Sequence, residues 1–95
     1  MAALFIARVD ITDMETYAKY IQAVPSIIAK YSGKALVRTE QSLTLEGPQE
    51  NRRIIILEFP SVDKAKEFYN SEEYRAARKI RENAAAGEII VVETV

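Results

Sequence analysis

The stretch Arg53–Tyr74, RIIILEFPSVDKAKEFYNSEEY, decides the fold. It opens on Ile54-Ile55-Ile56-Leu57, an apolar run too short for a membrane span and rich in β-branched residues, which reads as a strand buried on both faces. Glu58 interrupts the run, Pro60 removes a ladder donor, and Ser61 is placed to cap a helix. That helix carries Val62, Ala65, Phe68 and Tyr69 at three-to-four spacing, a stripe that faces a core. Strand, cap and amphipathic helix in this order begin a βαβ unit.

A second unit of the same kind starts the chain. In Leu4–Ile11, LFIARVDI, residues Phe5, Ala7, Val9 and Ile11 share one strand face and Leu4, Ile6, Arg8 and Asp10 the other. Thr12 and Glu15 fit a capping box, and Asp13 is the alternative cap one residue on. The next helix bears Tyr17, Tyr20, Ile21, Val24, Ile27, Ile28 and Tyr31. Its apolar phase crosses Pro25 without slipping, so one kinked helix is expected rather than two. Ser32-Gly33 stops it, with Gly33 free to turn left-handed.

Between the two units, Lys34–Glu46 is strand-like with a polar break at Glu40-Gln41-Ser42, which fits a bent or bulged strand, and Gly47–Asn51 is a turn. After Tyr69, Asn70-Ser71 splits the second helix, and Ser71 caps a further segment, Glu72–Ala85, with Tyr74, Ala77 and Ile80 inward. Gly87 ends that segment, and Glu88–Val95 is the last strand. The order β-α-β-β-α-β with a split second helix is the ferredoxin-like arrangement, an α+β fold filling residues 1–95 as one domain, its helices on one face of the sheet.

The strands at Ile54–Leu57 and Ile89–Val92 are apolar on both faces, whereas a half-solvated sheet alternates. The simplest cover for the second face is another copy of the chain, so a homodimer is expected. A formal net charge of -1 with no basic run argues against nucleic acid and against an acidic membrane surface as partners. The chain has no cysteine and no histidine, which removes disulfides, thiolate chemistry, the commonest metal ligand and the commonest general base at neutral pH. No metal and no cofactor is expected. The start MAALFIARVD has no basic leader or cleavage site, and a cytoplasmic protein is expected.

Several segments together resemble a known family. They are Arg8-Val9-Asp10 with Thr12-Asp13, Tyr17 to Tyr20 with Val24-Pro25, Leu36-Val37-Arg38, Leu45–Pro48, Glu58–Ser61, Asn70–Tyr74 with Tyr69, and Ile89–Glu93. They are similar to the small bacterial proteins called domain-of-unknown-function family 1330, within the dimeric α/β-barrel superfamily. The resemblance covers nearly the whole chain, with Glu72 standing where members often have proline. It implies two ferredoxin-like protomers whose sheets face one another to make a shared barrel, and it brings no established activity. Relatives that degrade haem or form quinones use His, Trp or Asn sets, and this chain lacks His and Trp.

Polar residues that interrupt apolar strands are the candidate site. With the first and third strands taken as parallel neighbours, Asp10 and Glu58 fall near strand ends. Arg8 shares the Asp10 face, and Arg38 falls opposite or diagonal to Glu58 when counted outward from the Gly47–Asn51 turn. Two readings are open for Arg8, Asp10, Arg38 and Glu58: an acid/base or anion-binding cluster with Glu58 or Asp10 as catalytic base, and a compensated ion-pair network that serves packing. Tyr17, Tyr20, Tyr69 and Tyr74 either pack in the core with wet hydroxyls or line a ligand cavity between helices and sheet. Arg78 and Arg81 are expected in solvent, within reach of such a cavity's mouth. Two function classes follow. One is a small-molecule-binding or structural module. The other is a cofactor-free enzyme of oxygenase or isomerase type on a small apolar or carboxylated substrate.

Overall fold

A computed structural model describes all residues from Met1 to Val95. Its elements are β1 (Ala3–Ile11), α1 (Met14–Lys30), β2 (Lys34–Thr39), β3 (Arg53–Phe59), α2 (Val62–Asn70), α3 (Glu72–Arg81) and β4 (Ala85–Glu93). The four strands form one sheet in the order β2-β3-β1-β4, with the helices packed on one of its faces. This is the expected ferredoxin-like α+β arrangement. No helix is long and apolar enough to cross a membrane.

Every ladder is antiparallel, including that between β1 and β3, which corrects the parallel pairing expected from the sequence. The reason is the path of the chain. The α1 crossover sets β2 parallel to β1 with a gap between them, and β3, running back along β2, fills that gap antiparallel to both. Glu58 therefore pairs with Leu4 at one end of the sheet, whereas Asp10 pairs with Ala86 at the other. Leu4 and Asp10 are six residues apart on β1, about 20 Å along an extended chain.

β1 alternates as its sequence requires: Phe5, Ala7 and Val9 are buried against the helices, while Leu4, Ile6 and Arg8 turn to the open face and remain half-buried. The core is aromatic. Phe68 packs on Phe59 at 5.1 Å and on Tyr74 at 4.6 Å between ring centres, and meets Phe5 edge-on at 5.7 Å.

α1 runs unbroken through Pro25, keeping Tyr17, Tyr20, Val24 and Ile27 on its buried stripe. Its cap is Asp13, whose carboxylate accepts from the Thr16 amide; the Thr12 amide is taken by the Ala84 carbonyl, so the capping box does not form. The left-handed residue after the helix is Ser32, not Gly33. Gly33 is required for space instead, because a Cβ there would sit 2.7 Å from the Phe59 ring and 2.8 Å from Ile28. β2 ends at Thr39, short of the expected Glu46, and its irregularity lies between Ala35 and Val37 rather than at the polar break Glu40-Gln41-Ser42. α3 stops at Arg81, and β4 starts three residues before the expected Glu88, with Gly87 inside it opposite Val9. Gly87 does not end a helix; it lets β4 lie against β1, where a Cβ would come 3.1 Å from the Arg8 carbonyl oxygen.

Candidate functional site

Strand register sorts the covered face of the sheet into levels. The first holds Val9 and Arg53; the second Ala7, Ile55, Arg38 and Ile89; the third Phe5, Leu57 and Ala35. Successive levels stand about 7 Å apart, two residues of strand rise. Above them α1 lays Tyr17, Tyr20, Ile21, Val24, Pro25 and Ile28 along the same direction, and α3 adds Tyr74 and Arg81. Between sheet and helices lies a cavity of about 280 Å³, open to solvent at its edge. Its lining is mostly apolar, and its charged residues are Arg38, Arg53 and Arg81.

The polar groups gather toward the first two levels. Tyr17 is fully buried, and its hydroxyl has no hydrogen-bond partner; neither has the buried Nε of Arg53. The Tyr20 and Tyr74 hydroxyls share a hydrogen bond of 2.8 Å. The Arg81 guanidinium lies over the Tyr20 ring, 5.5 Å from its centre. Burial holds the Tyr17 phenol above its ordinary pKa against the opposing charges of Arg53 and Arg81. Burial raises the Tyr20 phenol further, with Tyr74 close by adding to the effect. Both tyrosines therefore stay protonated at neutral pH, as hydrogen-bond donors and not as bases.

Arg53 has one carboxylate neighbour, the exposed Glu40, at 3.6 Å. Arg38 and Arg81 belong to none of the chain's ion pairs. Nor does any group of three Asp or Glu residues stand close enough to hold a metal ion.

Of the residues singled out in the sequence, Tyr17, Tyr20, Tyr74 and Arg38 meet at this cavity. Tyr69 stands beside it, packed on Tyr74 at 5.6 Å, with the Arg78 guanidinium 4.8 Å from its ring centre. Arg8, Asp10 and Glu58 lie on the opposite face of the sheet, so the four-residue cluster of Arg8, Asp10, Arg38 and Glu58 does not form. Arg38 pairs in register with Ile55, and Lys34 stands opposite Glu58. Arg8 joins a different group at the sheet end, 3.9 Å from Glu50 and 3.8 Å from Glu88. There Arg52 holds Glu50 at 2.9 Å and Glu88 at 2.6 Å. Hydrogen bonds from the Arg52 side chain and amide bring the Glu50 carboxyl down to about 2.

Of the other cavity residues, Arg53 was not expected there, and Arg81, expected in solvent within reach of the mouth, lines the cavity itself. Both carried a signal. Arg53 continues the two-residue period of Ile55, Leu57 and Phe59, and Arg81 follows Ala77 by four on the stripe that begins at Tyr74.

With this geometry in view, the relatives can be placed. No curated protein matches the sequence. The fold is shared with a protein of unknown function from Rhodopseudomonas palustris, 25% identical, at a TM-score of 0.80 over 99% of this chain and 82% of that one. It is shared also with SnoaB, a cofactor-independent oxygenase from Streptomyces nogalater, 12% identical, at a TM-score of 0.71 over 99% of this chain and 93% of that one. A dimeric protein of unknown function and ferredoxin-like fold from Bacteroides fragilis, 17% identical, follows at 0.67 over 98% and 96%. The model of the family described as "Domain of unknown function (DUF1330)" matches residues 2–95, and the chain belongs to that family.

Proposed function

We propose that this DUF1330 member is a homodimeric small-molecule-binding protein, each protomer offering the cavity between α1 and the sheet as its site. The observation that carries the reading is the pair of orphaned donors, the Tyr17 hydroxyl and the Arg53 Nε, buried beside a largely apolar space. A buried donor without an acceptor costs about 1–3 kcal/mol. A purely structural module would have no use for that loss, and a ligand acceptor recovers it.

The dimer is supported by the open face of the sheet. Leu4, Ile6, Ile54, Ile56, Ile90 and Val92 form a continuous apolar field there, with Ile90 53% exposed. Soluble monomers rarely expose so much contiguous apolar surface. Its charged residues sit at the two ends of the field, Lys34 and Glu58 at one and Arg8, Glu50, Arg52 and Glu88 at the other, as at an interface with an apolar centre and a polar rim. The dimeric Bacteroides fragilis protein of the same fold agrees with this. A chain without cysteine is indifferent to the redox state of its compartment, and we place it in the cytoplasm.

The alternative, a cofactor-free enzyme, needs a group to take a proton from the bound molecule. Glu58 and Asp10, the residues expected to do so, are on the other face of the sheet, and the cavity's tyrosines are donors. Binding is therefore the better reading.

A thermal-shift screen of small metabolites tests it, since a ligand stabilises the folded state by mass action. Ala35→Phe, at an exposed edge-strand position lining the cavity, blocks the space with little effect on the core. We expect a subset of compounds to raise the melting temperature of the wild type and not of Ala35→Phe. Compounds that stabilise both alike bind elsewhere, and that result overturns the site.

A further inference from the structure

We infer that the cavity takes a compact monocarboxylic acid with an aromatic or branched apolar body, its carboxylate at the Tyr17–Arg53–Arg81 end and its body toward Gly33. This rests on the binding reading above and adds to it the class and direction of the ligand.

Direction comes from the register. Arg53 occupies the first level of the covered face and Arg38 the second, whereas the third, with Phe5, Leu57 and Ala35, is apolar throughout. α1 repeats the gradient: Tyr17 and Tyr20 stand over the charged end, and Ile28 and Ala29 lead to Gly33 at the other. The ligand's own polarity must follow the same axis.

Charge comes from the lining, which holds three guanidinium groups and no carboxylate. Glu40, which pairs with Arg53, is itself exposed and does not line the cavity. A partly buried guanidinium keeps its charge and pairs with a carboxylate through parallel N–H donors. The Tyr17 hydroxyl, held protonated by burial, supplies a further donor to the same acceptor. Each free polar group at this end can donate and none is anionic, so the complementary partner is an acceptor that carries negative charge.

Size comes from the volume. An apolar cavity of about 150 Å³ accommodates benzene. The space here, about 280 Å³, fits a fused bicyclic ring with one small substituent.

Calorimetric titration of the intact protein with 2-naphthoate and with its neutral isostere 2-naphthamide tests the inference. A charge-assisted contact predicts that naphthoate binds about tenfold or more tightly than the amide. Tyr17→Phe and Arg53→Met should each remove most of that preference while leaving the affinity for the amide within about threefold of the wild type. Equal affinity for the two probes overturns the carboxylate and leaves the binding site standing. Absence of binding by either probe to folded wild-type protein overturns both. A preference that survives in the variants places the carboxylate elsewhere and also overturns the inference. Tyr17→Phe changes a single oxygen, so it decides the matter even if Arg53→Met does not fold.

Discussion

The two faces of the sheet share an apolar centre and match their arginines differently. On the open face Arg8, Arg52, Glu50 and Glu88 are gathered into ion pairs, and Lys34 stands across from Glu58. At the cavity over the covered face, Arg38 and Arg81 have no carboxylate partner, and Arg53 has one, the exposed Glu40. Compensated charge at the rim of an apolar field fits a surface that meets another protein. Uncompensated charge at the end of a cavity fits a surface that meets a small anion. The contrast lies in the arginines: Arg8 and Arg52 are paired with carboxylates, and Arg38 and Arg81 are not.

The largest effects should come from the buried aromatic and aliphatic core on the covered face. Phe68→Ala should destabilise the protein by about 3–5 kcal/mol and Ile27→Ala by about 2–4 kcal/mol in urea unfolding. A loss below about half a kcal/mol for Ile27→Ala would mean that the helix after Pro25 does not bury its stripe.

Lysine scanning sharpens the comparison next. Ile56→Lys, on the open face, should lower the mass seen by light scattering at micromolar concentration from dimer to monomer, or abolish solubility. Val91→Lys, whose side chain packs against the core, should unfold the protein instead. A wild-type monomer, or indifference to both changes, breaks the assignment of the open face to a partner.

Tyr17→Phe should behave unlike an ordinary core substitution. It removes a buried hydroxyl that lacks a partner, so stability should rise by up to about 1–3 kcal/mol while ligand binding falls. A clear loss of stability would show that the hydroxyl is already satisfied.

Acid titration probes the paired charges. The Glu50 carboxyl, at about 2 in the folded protein against an ordinary 4.5, contributes stability that is fully present above pH 4.5 and is lost as the pH falls toward 2. The melting temperatures of wild type and Glu50→Gln should therefore differ modestly near neutrality and converge over that interval. A constant gap would mean that Glu50 is not held by Arg52. The smallest effect is a coupling that should be absent: Glu58→Gln and Arg38→Met lie on opposite faces, so their losses should add within about 0.3–0.5 kcal/mol.

Much of this was legible before the structure. Phe5, Ala7 and Val9 announced a covered face, the stripe across Pro25 announced a continuous helix, and Ser61 and Ser71 sit where caps were read. The Arg38–Glu58 pairing failed for a specific reason. Counting from a turn centred on Gln49 set β2 against β3 in the wrong register; the pairing beyond the bulge centres at the Glu46–Gly47 bond, as Thr39 opposite Ile54 requires. The irregularity at Leu36 then shifts the alternation by one residue, which carries Arg38 to the covered face. No local pattern marks such a bulge. Arg53 was missed, and Arg81 was placed no nearer than the cavity's mouth, because a long cationic side chain is read as solvated by default, although their spacing puts both on inward-facing stripes.

Ser71 has a consequence for motion. Its hydroxyl donates to the Phe68 carbonyl oxygen at 2.8 Å and accepts from the Tyr74 amide at 3.1 Å, closing α2 and opening α3 with one side chain. At nine and ten residues, neither helix would persist alone in water. Joined at a shared cap, they should exchange their amide protons as one cooperative unit, with closely similar opening free energies from Ala65 to Ala77. Because α3 brings both Tyr74 and Arg81 to the cavity, a fluctuation that frees one releases the other, so that side of the cavity opens as a piece.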